Sequence, residues 1–327
     1  MSQSNIGSVD LNLFKVFEAL FEEGGASRAG IRLDMTQSAV SAALRRLREV
    51  FDDPLFVRTG RGLAPTGRAQ ELKPVIGEAL DQCRRSLAIA APDAPSFHGR
   101  SVSVGLSDDF EIAVGRALIE RLALAAPGLR IIFRQTHSQI AADALANREM
   151  DLAVTAGPLS SRGLRQRSLG EGGYACLIDC GEGGEGGDGI DGAEPGGAAA
   201  GRRRARAALT LDDYLAREHI LVSSGGVVGI VDEGLAALGR KRRIVASTTH
   251  FASVPHLLTG SRAVVTIPAH AAAAIARLTD LTLLPCPVAL PGYPVSLGWR
   301  HSAMRDVAVT KVWEAIVACF EQGGMLG

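Results

Sequence analysis

Residues 27–65, SRAGIRLDMTQSAVSAALRRLREVFDDPLFVRTGRGLAP, decide the fold of the N-terminal part of this chain. Four apolar side chains recur in its middle at intervals of four, three and four residues, the spacing of a helix with one buried face. They are Val40, Leu44, Leu47 and Phe51. Thr36 stands just before them, where an N-cap hydroxyl would satisfy the first free backbone N–H groups. Residues 27–33 predict a shorter helix before the turn.

The flanking residues extend this pair of helices into a larger motif. Upstream, residues 11–23 predict a helix that Asp10 caps and that buries Leu13, Phe17 and Leu20. Downstream, the apolar run 55–57 predicts a short strand, and the glycines at 60 and 62 allow a tight hairpin turn. Alone, the central helix could be any amphipathic helix with a solvated basic face. The combination favours a winged helix-turn-helix.

The polar face of the central helix has the side chains that read base edges. Short side chains near a helix N-terminus allow close approach to a major groove, where glutamine, serine and arginine hydrogen-bond to bases. The candidate readers are Gln37, Ser38, Ser41, Ala42 and Arg45. Arg58 and Arg61 flank the hairpin tip and are candidates for phosphate contacts, which position a protein without reading sequence.

The charge of the chain is distributed unevenly. Its formal net charge is +0, yet residues 26–68 hold eight arginines against four acidic side chains. Such a local excess attracts phosphates. With 327 residues, 46% of them hydrophobic and 21% charged, the chain has the composition of a folded protein with two or three domains.

Composition also argues against several classes of protein. No apolar run approaches the roughly 20 residues of a membrane span, and the N-terminus lacks signal-peptide features, so we expect a cytoplasmic protein without a membrane partner. Five dispersed cysteines favour structural thiols over a disulfide framework or metal site. They are Cys83, Cys176, Cys180, Cys286 and Cys319. We find no P-loop, HExxH or GxSxG pattern, and we expect neither catalysis nor a cofactor.

Residues 66–90 follow the wing and predict a helix with apolar positions at coiled-coil-like intervals. These positions are Leu72, Ile76, Leu80, Cys83 and Leu87. The helix is a candidate for dimerisation, and the alternative is a helix packed on its own domain. Pro74 lies inside it, so either the helix bends there or a shorter helix begins near Lys73. The proline-containing segment 91–99 reads as a hinge.

Beyond the hinge, strands and helices alternate, which implies parallel α/β structure. SVSVGL, LRIIFRQ, DLAVTA, HILVSS and AVVTIP are the predicted strands. Predicted helices cover 108–125, 138–148, 231–238 and 306–321. Two small α/β lobes fit the available length. The glycine-rich segment 181–207 interrupts the pattern and predicts a flexible surface loop; the alternative is that its arginines, at 202, 203, 204 and 206, contact DNA or a partner.

Two stretches carry a specific resemblance: VDLNLFKVFEALFEEGG (9–25) and TQSAVSAALRRLREVFDDPLFVRTGRGLAPTGRA (36–69). They resemble the N-terminal domain of LysR-type transcriptional regulators, particularly the branch of nodulation and aromatic-catabolism regulators. The resemblance puts Gln37, Ser38, Ser41 and Arg45 at the recognition positions and Arg58 and Arg61 at the wing. One departure is Gly30, where the family usually has alanine; a mid-helix glycine costs about 1 kcal/mol relative to alanine and should loosen this helix.

The resemblance also implies the domain organisation. It predicts a winged helix-turn-helix domain over 1–65, a linker and dimerisation helix over 66–90, and a hinge over 91–99. An α/β effector-binding domain over 100–327 would have two lobes, like a periplasmic solute-binding protein. Lobe one would comprise about 100–165 and 265–327, and lobe two about 166–264.

Candidate effector-binding residues follow from the same resemblance and from strand ends, where ligands of such folds bind. Ser107, Ser138, Thr155 and Gly157 follow the first three strands of the domain. His250 and Phe251 match the family's inter-lobe segment, in which an imidazole and an aromatic ring face the pocket. The expected ligand is a small organic molecule, aromatic or carboxylated.

These observations together predict a regulator that binds promoter DNA at an interrupted palindrome. We expect it to act as a dimer or dimer of dimers, with RNA polymerase as a further candidate partner, and to respond to the effector held between the lobes. One alternative is a ligand-independent architectural DNA-binding protein. A less favoured one is an α/β small-molecule-binding protein or enzyme.

Overall fold

The computed structural model describes residues 9–60, 62–90, 97, 100–159, 161–180, 208–223 and 225–322. It divides the chain into two units, each treated by itself below. The first unit comprises residues 1–105, 118–167 and 297–317, and the second comprises 106–117, 168–296 and 318–327. Arg61, the segment 181–207 and most of the predicted hinge 91–99 lie outside the described residues.

Three helices and a two-stranded hairpin begin the first unit, as the winged helix-turn-helix prediction requires. They are α1 (Asn12–Glu23), α2 (Ala26–Leu33), α3 (Gln37–Phe51), β1 (Phe56–Thr59) and β2 (Gly62–Pro65). The predicted apolar stripe faces inward: Val40 and Leu47 are buried with Phe17 of α1 in one core. The wing closes this core, because the ring of Phe56 lies 5.5 Å from the ring of Phe17.

The next helix, α4 (Gly67–Ala90), runs through Pro74 as one element. A separate helix starting near Lys73 was therefore the wrong alternative. The side chains of Ile76 and Leu80 on α4 are only 3% and 7% exposed, because they pack in the core formed by α1 and α3. The linker helix is thus docked on the domain that precedes it.

The remaining elements include the five predicted strands and the four predicted helices, but the strands within 152–178, and those within 282–300, follow one another with no helix among the described residues between them. In chain order the elements are β3 (Ser101–Leu106), α5 (Asp108–Ala125), β4 (Arg130–Gln135), α6 (Ser138–Ala146), β5 (Leu152–Ala156), β6 (Leu164–Gly172), β7 (Tyr174–Ile178), α7 (Leu211–Ala216), β8 (Glu218–Val222), α8 (Ile230–Ala237), β9 (Arg243–Thr248), α9 (Val254–Leu258), β10 (Val264–Pro268), α10 (Ala269–Leu278), β11 (Thr282–Pro285), β12 (Tyr293–Arg300) and α11 (Val307–Gln322).

Two five-stranded sheets organise these elements, in the orders β4-β3-β5-β12-β6 and β11-β7-β10-β8-β9. In the first sheet β3 and β5 are parallel, with Val104 opposite Leu152. In the second, β10 is parallel to β8 and antiparallel to β7. This is the mixed α/β architecture of two lobes. In the described part of the chain, no helix combines the length and the apolar character needed to cross a bilayer.

The position of β10 corrects one predicted boundary. The sequence pattern predicts a return to lobe one at residue 265, whereas residues 168–296 all belong to the second unit. The reason is that β10 lies at the centre of the second sheet, where Val264 and Val265 are fully buried between β7 and β8. The chain re-enters the first unit only within β12, at Leu297.

Candidate functional site

The start of α3 is held by a side-chain cap. Thr36 is extended, and its Oγ1 accepts a hydrogen bond from the backbone N–H of Ala39 at 3.2 Å. The hydroxyls of Thr36 and Ser38 are 2.9 Å apart. Because the cap satisfies a free backbone donor, the helix begins sharply at Gln37.

The predicted base readers line the solvent side of this helix. Gln37, Ser38, Ser41 and Arg45 are exposed, and Ala42 is half-buried. Ser38, Ser41 and Arg45 follow one another at intervals of three and four residues, so they share one face. The opposite face is buried in the core. The first two turns of α3 therefore present small polar side chains and one cation to the outside.

The turn between α2 and α3 explains the glycine at position 30. The backbone N–H of Met35 donates to the carbonyl of Gly30 at 2.8 Å. A Cβ added at Gly30 would lie 2.6 Å from the carbonyl oxygen of Met35. Helix propensity alone predicts only that this glycine loosens α2. In the structure it permits the close approach of the chain that sets α2 against α3.

The wing is fixed to the rest of the domain by backbone contacts. Thr59 pairs with Gly62 across the hairpin, and the N–H of Leu63 donates to the carbonyl of Gly24 at 2.8 Å. Arg58 is exposed on β1. Its predicted companion at the tip, Arg61, lies outside the described residues.

Arg48 has a role that the sequence analysis missed. It lies on α3, and its guanidinium donates to the carbonyls of Pro54 and Phe56, at 2.8 and 2.9 Å. These bonds tie the end of α3 to the start of the wing. The signal in the sequence is its place one turn before the DDP sequence, because the last carbonyls of a helix have no partner within the helix.

Three predicted effector-binding residues belong to the second unit. Ser107 precedes α5 and is half-buried, His250 is exposed, and Phe251 is half-buried against the core of this unit. The backbone N–H of Phe251 donates to the carboxylate of Asp108 at 2.7 Å. This bond brings the 250–251 segment to the start of α5, beside Ser107.

A buried acid–base pair lies behind that surface, and sequence reasoning missed it. His270 Nε2 is 3.1 Å from Asp109 Oδ2, and the imidazole stacks on Phe110 with ring centroids 4.5 Å apart. Burial raises the pKa of Asp109, but hydrogen bonds from His270 and Ser107 outweigh burial, so the pKa lies below its usual value. The pair joins the starts of α5 and α10.

The other three candidates belong to the first unit. Ser138 is the exposed first residue of α6. Thr155 is buried, and its hydroxyl donates to the carbonyl of Gly157 at 3.2 Å. Gly157 has φ 103, a left-handed conformation that favours glycine. The role of all six residues in holding one ligand stays a prediction.

Comparison with known proteins finds family matches for two regions of the chain. Residues 11–70 match the bacterial regulatory helix-turn-helix proteins of the lysR family, and residues 97–179 match the LysR substrate binding domain. Both matched regions belong to the LysR family. The resemblance noted in the sequence is therefore confirmed.

Individual relatives are similar in sequence to half of the chain or more. It is 36% identical over 169 residues to the HTH-type transcriptional activator NahR of Pseudomonas putida, covering 52% of this chain and 56% of NahR. It is 31% identical over 222 residues to Nodulation protein D 2 of Bradyrhizobium elkanii, covering 66% of this chain and 59% of that protein. The chain thus spans little more than half the length of these curated relatives.

One solved structure is similar to nearly the whole of this chain. The probable transcriptional regulator PA0477 from Pseudomonas aeruginosa is 26% identical and has a TM-score of 0.66. The similarity covers 94% of this chain and 97% of that one. The fold predicted for both parts is thereby supported by an experimental structure.

The prediction that one stripe of α4 pairs with a second subunit needs a correction. Leu72, Ile76 and Leu80 pack against the helix-turn-helix core of the same chain, so they are not available to a partner. Cys83 and Leu87 are exposed, Leu87 by 72%. A stripe spaced for a coiled coil also suits packing on the nearest apolar surface, which here is α1. Only the outer end of the predicted stripe remains free to pair.

Proposed function

We propose that this chain is a sequence-specific DNA-binding transcription regulator. The observation that carries the proposal is the exposed, capped start of α3 with Gln37, Ser38, Ser41 and Arg45 on one outward face. In a major groove these side chains would reach base edges, while Arg58 of the wing, with Arg61, would contact phosphates.

The second half of the proposal is control by a small molecule. Ser107 and Ser138, at the starts of α5 and α6, are the candidate positions for an anionic group of the ligand, since helix N-termini favour such groups. We propose that His250 pairs with a carboxylate or phenol and that Phe251 stacks on a ring; Thr155 and Gly157 are further candidates for binding the effector. We propose an aromatic or carboxylated effector that changes how the DNA sites are engaged. The function includes no catalytic step.

The proposed assembly is a homodimer or dimer of dimers on an interrupted palindrome. The exposed side of α4, with Val75, Cys83 and Leu87, is available for self-association. Because its target is promoter DNA, we place the protein in the cytoplasm and keep RNA polymerase as a proposed partner. The alternative function is that of a ligand-independent DNA-binding protein, but this function gives no role to the α/β part of the chain.

The test is binding of the full chain to labelled DNA from its own upstream region, across a salt series with excess non-specific competitor. Arg45→Ala should relax base preference at one position of the site, while Arg58→Ala should weaken binding to all sequences and reduce the salt slope by about 1. Arg277→Ala, on the exposed side of α10, is the matched control and should bind like the wild type. Competitor-sensitive binding that neither wing nor helix variant alters would refute the proposal.

The effector half is tested by adding benzoate or salicylate to the same DNA-binding reaction. A change of DNA affinity or footprint that His250→Ala abolishes, and that Arg277→Ala retains, supports the ligand-controlled regulator. An unchanged footprint with either compound and with a wider set of aromatic acids favours the ligand-independent DNA binder.

A further inference from the structure

Arg148, in the α/β part of the first unit, contacts the linker helix. Arg148 follows α6 in a left-handed conformation, with φ 57. Its Nη1 lies 2.6 Å from Asp81 Oδ2 and its Nη2 lies 3.2 Å from Glu78 Oε2. Glu78 and Asp81 are one turn apart on α4, so one guanidinium spans two carboxylates on the same helix face.

The surface of α4 is shaped for this contact. Gly77 precedes the two carboxylates, and a Cβ added there would lie 3.3 Å from Cδ of Arg148. The stem of Arg148 therefore passes closely over the glycine. Its side chain keeps only 10% of its exposure. A guanidinium so shielded from water interacts with its partners more strongly than an exposed one.

The contact continues into the helix-turn-helix domain. Asp81 also accepts from Arg84 Nη1 at 3.0 Å, and Arg84 Nη2 lies 2.6 Å from Glu18 Oε2 on α1. Burial lowers the pKa of Arg84, but the charges of Glu18 and Asp81 outweigh it and raise the pKa above its usual value. Alternating charges thus run from Arg148 through Asp81 and Arg84 to Glu18.

We propose that Arg148 is a positioning residue that holds α4, and with it the DNA-binding domain, against the α/β part of the first unit. The Arg148 contact, defined as its ion pairs with Glu78 and Asp81, restrains the angle at which α3 is presented to DNA. A change in the turn that carries Arg148 then alters DNA engagement without any direct contact to DNA. The regulatory part of this inference rests on the proposed function, whereas the restraint itself does not.

Removal of Arg148 is a clean perturbation because its partners are not left buried and uncompensated. Glu78 is exposed by 57%, and Asp81 keeps Arg84. Arg148→Met preserves the stem that lies over Gly77 and deletes only the charge. Arg148→Glu places a third carboxylate beside Glu78 and Asp81, and adding Glu78→Arg restores an opposite-charge pair. Arg165→Met is the matched control, since Arg165 is exposed on β6.

The experiment is amide hydrogen exchange on the full chain, read over 77–84 of α4 and over 144–151. Arg148→Met should raise exchange in both segments by about tenfold, Arg148→Glu should raise it further, and Arg148→Glu with Glu78→Arg should return it toward wild type. Arg165→Met should leave both segments unchanged. Equal exchange in wild type and Arg148→Met, or no recovery in the double variant, would overturn the restraint.

DNA binding is then measured with the same variants on the upstream fragment. We expect Arg148→Met to change the affinity for this DNA several-fold. Arg148→Glu with Glu78→Arg should restore the wild-type affinity. If exchange responds as expected and DNA affinity does not, the regulatory role is wrong. If the wild type itself does not bind DNA, the proposed function fails, while the exchange data still decide whether Arg148 restrains α4.

Discussion

Replacing Gly30 with alanine is the sharpest test of the helix-turn-helix geometry, because helix propensity and packing predict opposite results. Propensity alone favours alanine within α2 by about 1 kcal/mol. The new Cβ would lie 2.6 Å from the carbonyl oxygen of Met35, which is a backbone atom and cannot rotate away. Forcing such an overpacked contact apart costs about 1–3 kcal/mol. Stretching the 2.8 Å hydrogen bond from Met35 to Gly30 costs about 1 kcal/mol more.

The expected net effect of Gly30→Ala is a loss of about 1–3 kcal/mol in the stability of the DNA-binding domain. Hydrogen exchange of the α2 and α3 amides on the full chain measures it, and these amides should exchange roughly 5 to 160 times faster. Affinity for the upstream DNA should fall as well, since α3 is repositioned.

The matched control is Gly67→Ala at the start of α4, where an added Cβ meets nothing within 4 Å. That substitution should be neutral or stabilise by up to about 1 kcal/mol. If Gly30→Ala instead slows exchange in α2 and α3, the gain in helix propensity exceeds the cost of the close contact. The close approach of Met35 to Gly30 would then be refuted as the reason for this glycine.

Three further predictions concern other parts of the chain. Thr36→Ala should cost about 1 kcal/mol by removing the cap of α3, while Thr36→Ser should cost little, as measured by exchange of the α3 amides. Asp109→Asn should destabilise the second unit at neutral pH in thermal unfolding; the folded pKa of Asp109 is lowered, so its contribution is complete above the usual value of 3.8 and is lost as the pH falls below it. Leu87→Glu should weaken self-association in sedimentation without loss of fold, whereas Ile76→Ala should cost about 2–5 kcal/mol of stability because Ile76 is buried within the chain.

The helix-turn-helix domain could be predicted from sequence because its signals are local. The stripe of Val40, Leu44 and Leu47 has a helical period, and a threonine before it caps the helix three residues on. The strand pairing of the wing needed only a short apolar run and two glycines. Each of these relations spans fewer than ten residues, so a reading along the chain detects it. Gly30 is the exception, since the reason for it lies in a backbone approach rather than in a propensity.

Elements whose partners lie far along the chain could not be placed in this way. An apolar period on α4 is the same whether Ile76 faces a second subunit or α1 of its own chain, and only the fold decides between them. The pattern of β10 predicts a buried strand but not which sheet contains it. His270 and Asp109 are 161 residues apart, and Arg148 lies 67 residues from Asp81. Such pairs are isolated charged residues in the sequence, so the contacts between them become visible only when the chain is folded.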